Sequence, residues 1–162
     1  MNVYITYDRY ENDEWYSIEH IETNKQRAIK HFKEVDLPDF LAYGPDDCHS
    51  FQLQRVEMTK KQYDTFMKWI EEGQSLENYG TKSSELFEFM VDLFDGTGVV
   101  GDTSVLFSTD GCSDNFELIE FYCQHLGIDA DDYDARYEIE EKLFNDEELY
   151  TEILKQYIAM YY

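Results

Sequence analysis

The hydrophobic period of this chain changes from two to about 3.6 within its first 35 residues, and no single class of element carries both. In "NVYITYD" (2–8) and "EWYSIEHIE" (14–22), apolar and polar residues alternate on either side of the polar turn "RYEND". The alternation places Val3, Ile5 and Tyr7 on one face, starts a second strand at Trp15 and predicts an antiparallel hairpin. In "TNKQRAIKHFKEV" (23–35) the spacing becomes helical, with Ala28, Ile29, Phe32 and Val35 on one side and Thr23 with Gln26 as a T-x-x-Q capping box. Both prolines fall in "DLPDFLAYGPDD" (36–47), which reads as a loop.

The same device returns. "SFQLQRVEM" (50–58) reads as a third strand, and "TKKQYDTFMKWIEEG" (59–73) as a helix capped by Thr59 with Gln62. Its buried stripe is Tyr63, Phe66, Met67 and Ile70, and Gly73 ends it. Thr23 and Thr59, 36 residues apart, open two strand–helix units that form a weak repeat. Helical spacing then dominates. Leu86, Phe87, Met90, Leu93 and Phe94 line a helix between Ser83 or Ser84 and Gly96. Phe116, Ile119, Cys123 and Leu126 line one that Asp114 caps and Gly127 ends. Ile153, Leu154, Tyr157, Ile158 and Tyr161 line the last. A Gly/Ser/Thr/Asp-rich connector, 96–115, holds "SVLFS" as a short strand. The predicted class is α+β. A small antiparallel sheet with packed helices occupies 1–73, and a mainly helical, acidic region occupies 74–162, the two forming one compact unit.

Composition limits the partners of such a fold. Hydrophobic residues make up 43% and aromatics 17%, enough for a core, so the net charge of -23 sits on a folded body. Residues 1–70 hold 9 Lys/Arg and 13 Asp/Glu, whereas residues 71–162 hold 4 and 23. A half-chain at -19 repels nucleic acid and anionic lipid and attracts basic protein surfaces. Direct nucleic-acid binding and membrane association are therefore not expected. Met1 leads into a segment too short and polar for targeting, and three cysteines without a CxxC pair suit a reducing cytoplasm.

No reaction chemistry is legible. A calcium loop laid on Asp129, Asp131 and Glu140 puts Tyr133 and Asp134 where a ligand and a glycine belong. Cys48-His49 and Cys123-x-His125 offer zinc-binding atoms at no finger spacing, and Cys123 falls on a core stripe. "DGTGVVGD" (95–102) lacks the lysine of a phosphate loop. None of His20, His31, His49 and His125 is placed beside a nucleophile by sequence alone. No catalytic residue, metal or cofactor is assigned. The chain is read as a non-enzyme.

The charge itself has a pattern. In "DADDYDARYEIEEKLFNDEELYTE" (129–152), 11 of 24 residues are acidic. Asp131, Asp134, Glu138, Glu141, Asn145, Glu148 and Glu152 recur every three or four residues, which puts them on one helical stripe. Unbroken, the stripe runs about 32 Å at 1.5 Å per residue; a restart at Asn145 divides it. Tyr133, Tyr137 and Phe144, then Ile153 and Leu154, form the side expected to dock on a core. Glu85, Glu88, Asp92, Glu117 and Glu120 are expected to flank the stripe. Glu138 with Lys142 and Glu152 with Gln156 are the few neutralising pairs, so like charges cost about 0.2–0.5 kcal/mol per pair. The bland alternative is a solvated face. The functional one is a surface for a basic protein, built from Asp129, Asp131, Asp132, Asp134, Glu138, Glu141, Glu148 and Glu152, with Tyr133 and Tyr137 as anchors.

In size, in its acidic C-terminal half and in this stretch, the chain resembles as a class the small acidic inhibitors of phages and mobile elements: DNA-mimic antirestriction proteins and anti-CRISPR proteins. These share no common motif, so no residue roles transfer. The resemblance implies an inhibitor, acting in the cytoplasm of a bacterial host, that occupies the nucleic-acid groove of a Cas nuclease or restriction enzyme. An immunity protein or antitoxin for a basic nuclease toxin, or an acidic protein-interaction module of unknown role, is the alternative, followed by an enzyme using 95–114 as its site loop. A homodimer is left open.

Overall fold

Alternation in the first segment yields strand β1 (Asn2–Tyr10), and β2 (Tyr16–Glu22) pairs with it antiparallel. A computed structural model describes residues 1–10, 15–43, 49–78, 80, 82–96, 98–109 and 116–162. Arg9 and Tyr10, expected in the turn "RYEND", belong to β1, whereas its residues 11–13, the Asp114 cap, Cys48 and Cys112 lie outside the described residues. The other elements are α1 (Lys25–His31), a π-helical turn (Phe32–Asp36), α2 (Leu37–Tyr43), β3 (His49–Glu57), α3 (Lys60–Glu71) and α4 (Glu85–Asp95). After these come β4 (Thr103–Ser108), α5 (Phe116–Leu126), α6 (Tyr133–Asn145) and α7 (Glu147–Tyr161). The described strands form one four-stranded antiparallel sheet in the order β2-β1-β3-β4. The fold is α+β.

Both faces of the sheet are covered, which is why Val3–Asp8 are buried without interruption. Val3, Ile5 and Tyr7 share one face with Val56, through the pairings Val3↔Val56, Ile5↔Gln54 and Tyr7↔Gln52. Phe66 of α3 and Leu86, Phe87, Met90 and Leu93 of α4 close this face. Tyr4, Phe51 and Leu53 point the other way, into a core with Phe32, Leu37, Cys123, Leu143, Leu154 and Ile158. That face is roofed by α1, α2, α5, α6 and α7. Residues on both sides of position 73 thus share the sheet and both cores.

Local signals are placed to within a residue or two. Thr59 and Gln62 form the capping box of α3. Ser84 caps α4, and Gly96 ends it at φ 66°, a backbone angle that suits glycine. The first capping box is corrected. Asn24, not Thr23, accepts the Arg27 N–H at the start of α1, because its side-chain oxygen, one residue further along, caps the helix from its own position and serves the next orphan donor. The loop at 36–47 is also corrected in part: α2 runs through Pro38. Pro38 stands inside a continuous helical run from Lys25 to Tyr43, directly after the wider π-helical turn, a place where a residue with no N–H to give to the preceding turn can be accommodated. Val35, Leu126 and Tyr161, expected inside, are 44%, 44% and 55% exposed. Trp15 forms a lone bridge with Glu77 ahead of β2.

Candidate protein-docking surface on the acidic helices

Two aliphatic residues hold α6 to the body: Ile139 and Leu143, four apart and buried. The docking side expected from sequence is therefore corrected on α6, whereas Ile153 and Leu154 of α7 are buried as expected. Tyr133, Tyr137 and Phe144 are 67%, 51% and 43% exposed. A phenol must keep a hydrogen-bonding partner when buried, and aliphatic groups carry no such demand, which favours solvent for Tyr133 and Tyr137 but does not account for Phe144. Positions 133, 137 and 144 fall on one side of the helix. The carboxylates Asp134, Glu138 and Glu141 lie next to that side and away from Ile139 and Leu143, all exposed. The surface therefore carries rings and charges together, and Phe144, assigned to the core by sequence, joins it.

Several acidic residues have local work. The Asp131 N–H donates to Asp129 Oδ1 at 3.0 Å. Asp132 caps α6 by accepting the Ala135 N–H at 3.3 Å, and Asp134 follows in its first turn. Asp146, in extended backbone between the helices, caps α7 by accepting the Leu149 N–H at 3.0 Å. Glu147 and Glu148 occupy the first turn of α7, where the helix dipole favours negative charge. The stripe is accordingly divided, with its restart at Asp146 rather than Asn145. What remains without a capping role is Asp131, Asp134, Glu138 and Glu141 around α6, and Glu148 and Glu152 on α7. All six are exposed.

The rings are tied to the charges. The Tyr137 hydroxyl donates to Glu141 Oε1 at 3.0 Å, and this bond and the Glu141 charge hold the phenol above its ordinary pKa. The Arg136 guanidinium lies 5.4 Å from the Tyr133 ring centre. Phe144 meets Tyr150 of α7 at 5.8 Å. Glu152 accepts from Gln156 at 3.3 Å. Lysine–carboxylate pairs four residues apart among the described residues belong to the first half of the chain: Lys30 with Glu34, Lys60 with Asp64 and Lys68 with Glu72. Along α7, Glu147, Glu148, Thr151, Glu152 and Lys155 line a shallow depression of about 530 Å³.

The expected flanks divide. Glu117 and Glu120 stand on α5, which packs into the same core as α6 and α7. Glu85, Glu88 and Asp92 stand on α4, against the opposite face of the sheet, so they do not border the stripe. The sites weighed for chemistry fall out differently. Cys123 is fully buried, which raises its thiol pKa, whereas His125 is exposed. His49 Nδ1 lies 2.6 Å from Asp8 Oδ2 in a largely buried pair between β1 and β3. His31 stacks on His20 at 3.7 Å and lies 3.1 Å from Asp36. Among the described residues no three His, Cys, Asp or Glu side chains are grouped to hold a metal ion. Nor is any helix there long and apolar enough to cross a membrane. Comparison with protein-family models, curated proteins and solved structures finds no match.

Proposed function

We propose that this protein is a non-enzymatic inhibitor of a nucleic-acid-processing host-defence enzyme, a Cas nuclease or restriction enzyme. It acts by laying the acidic faces of α6 and α7 on the enzyme's basic nucleic-acid groove. The supporting observation is the outward side of α6, where Tyr133, Tyr137 and Phe144 stand in solvent beside Asp134, Glu138 and Glu141. Like charges on one helix face cost about 0.2–0.5 kcal/mol per pair in the free protein. A groove of Lys and Arg relieves that repulsion, and exposed tyrosines add contact area with little side-chain entropy to lose.

On α6 the carboxylates from Asp134 to Glu141 extend about 11 Å, and on α7 Glu148 to Glu152 extend about 6 Å, at 1.5 Å per residue. DNA carries one charge per about 1.7 Å, so this surface is the sparser of the two. Its rings make up part of the difference. Binding should accordingly weaken with salt, though less steeply than DNA binding to the same groove.

The test is plasmid cleavage by a panel of purified Cas nucleases and restriction enzymes at low ionic strength. The wild-type protein is expected to inhibit at least one. Combined Asp131→Lys, Asp134→Lys, Glu138→Lys and Glu141→Lys should weaken that inhibition by about a hundredfold, with circular dichroism unchanged. Equal inhibition by this variant would end the proposal.

A further inference from the structure

A cleft of about 300 Å³ opens between α5 and α7, away from the carboxylate stripe. One wall is Glu117, Glu120 and Gln124, spaced three and four residues apart along α5, and the other is Tyr157 and Tyr161 on α7, with Phe121 between. The rings brace one another. Phe121 meets Tyr157 at 5.6 Å and 77° and Tyr161 at 6.1 Å and 75°, while Tyr157 and Tyr161 lie 4.9 Å apart at 44°. The Tyr157 hydroxyl donates to Glu117 Oε2 at 2.6 Å, which fixes that carboxylate on the wall. Tyr157 is 7% exposed and belongs to the core, but Tyr161 is 55% exposed and keeps much of its ring open.

Core packing explains Tyr157 and leaves Tyr161 unexplained. Ring faces carry negative quadrupole charge and attract cations, and two carboxylates beside them add to the attraction. Among the described residues, no Lys or Arg lines the cleft. A flat guanidinium suits it better than an ammonium ion, since it stacks on a tyrosine, presents a fork of N–H donors to carboxylates and is less strongly hydrated.

We infer that the α5–α7 cleft is the seat for an arginine side chain presented by the basic partner protein. The inference rests on the proposed function only for the source of that arginine. An arginine seat adds a directional contact to a long-range electrostatic surface, so it selects among basic partners that the stripe alone would hold equally.

The experiment is an NMR titration of the ¹⁵N-labelled protein with Nα-acetyl-arginine amide and, separately, Nα-acetyl-lysine amide. Saturable shifts confined to the α5 and α7 residues around the cleft are expected, with the arginine compound binding about tenfold tighter. Tyr161→Ala and Glu120→Gln should each weaken it about tenfold. Asp64→Asn, which removes one exposed charge from α3, should leave the affinity within twofold. Equal binding of the two cations, shifts spread over α6, indifference to Tyr161→Ala, or no saturable shift would each overturn the arginine seat. Such a failure alongside intact nuclease inhibition removes the cleft and leaves the stripe. Loss of inhibition alongside intact cleft binding would do the reverse.

Discussion

At the scale of single residues, the Tyr7 hydroxyl shows how the sheet accommodates polarity inside a core. It is 1% exposed and donates to Gln54 Oε1 at 2.7 Å, with Gln52 Oε1 at 3.4 Å. Burial drives its pKa well above the usual phenol range, and the Arg9 charge opposes this in part. A folded pKa above the unfolded one means that the contribution is complete below about pH 10 and declines as pH rises from there. Tyr7→Phe is expected to cost about 1–3 kcal/mol at neutral pH by stranding an amide acceptor. It should also flatten the alkaline loss of stability, so urea midpoints at pH 8 and pH 10.5 should differ less in the variant than in wild type. An equal alkaline loss in both would show that Tyr7 is not its source.

At the scale of elements, Asp146 decides the shape of the acidic region. As the one non-helical residue between α6 and α7, it ends one helix and caps the next. Asp146→Ala should cost about 1 kcal/mol, read as a lower urea midpoint, with faster amide exchange in the first turn of α7. Unchanged exchange there would show that the cap does not hold the turn. Strands and helices were readable because their periods differ, and Thr59, Ser84 and Gly96 marked ends that a sequence states outright. The errors have physical sources. Asn24 and Thr23 offer similar oxygens one residue apart, and Pro38 reads as a breaker unless the preceding turn widens. On α6 two apolar sides compete. Spacing separates rings from carboxylates, but only the packing partner decides that Ile139 and Leu143 go inward. Nothing local announced that Glu117, Glu120, Tyr157 and Tyr161 would line one cleft, because the two helices meet through tertiary packing.

At the scale of the whole molecule, the sheet distributes the charge. Its two covered faces send the carboxylates of α4 to one side and those of α5, α6 and α7 to the other, a separation that linear sequence cannot show. Groove blocking requires the stripe to enter the same groove that nucleic acid would occupy. The most direct measurement is displacement of a fluorescently labelled DNA duplex from an enzyme that the protein inhibits, followed by anisotropy from about 50 to 200 mM salt. Groove blocking predicts full displacement by wild type, weaker as salt rises, and none by the variant combining Asp131→Lys, Asp134→Lys, Glu138→Lys and Glu141→Lys. A ternary complex that keeps its DNA while inhibited, or displacement indifferent to salt and to charge reversal, would contradict it.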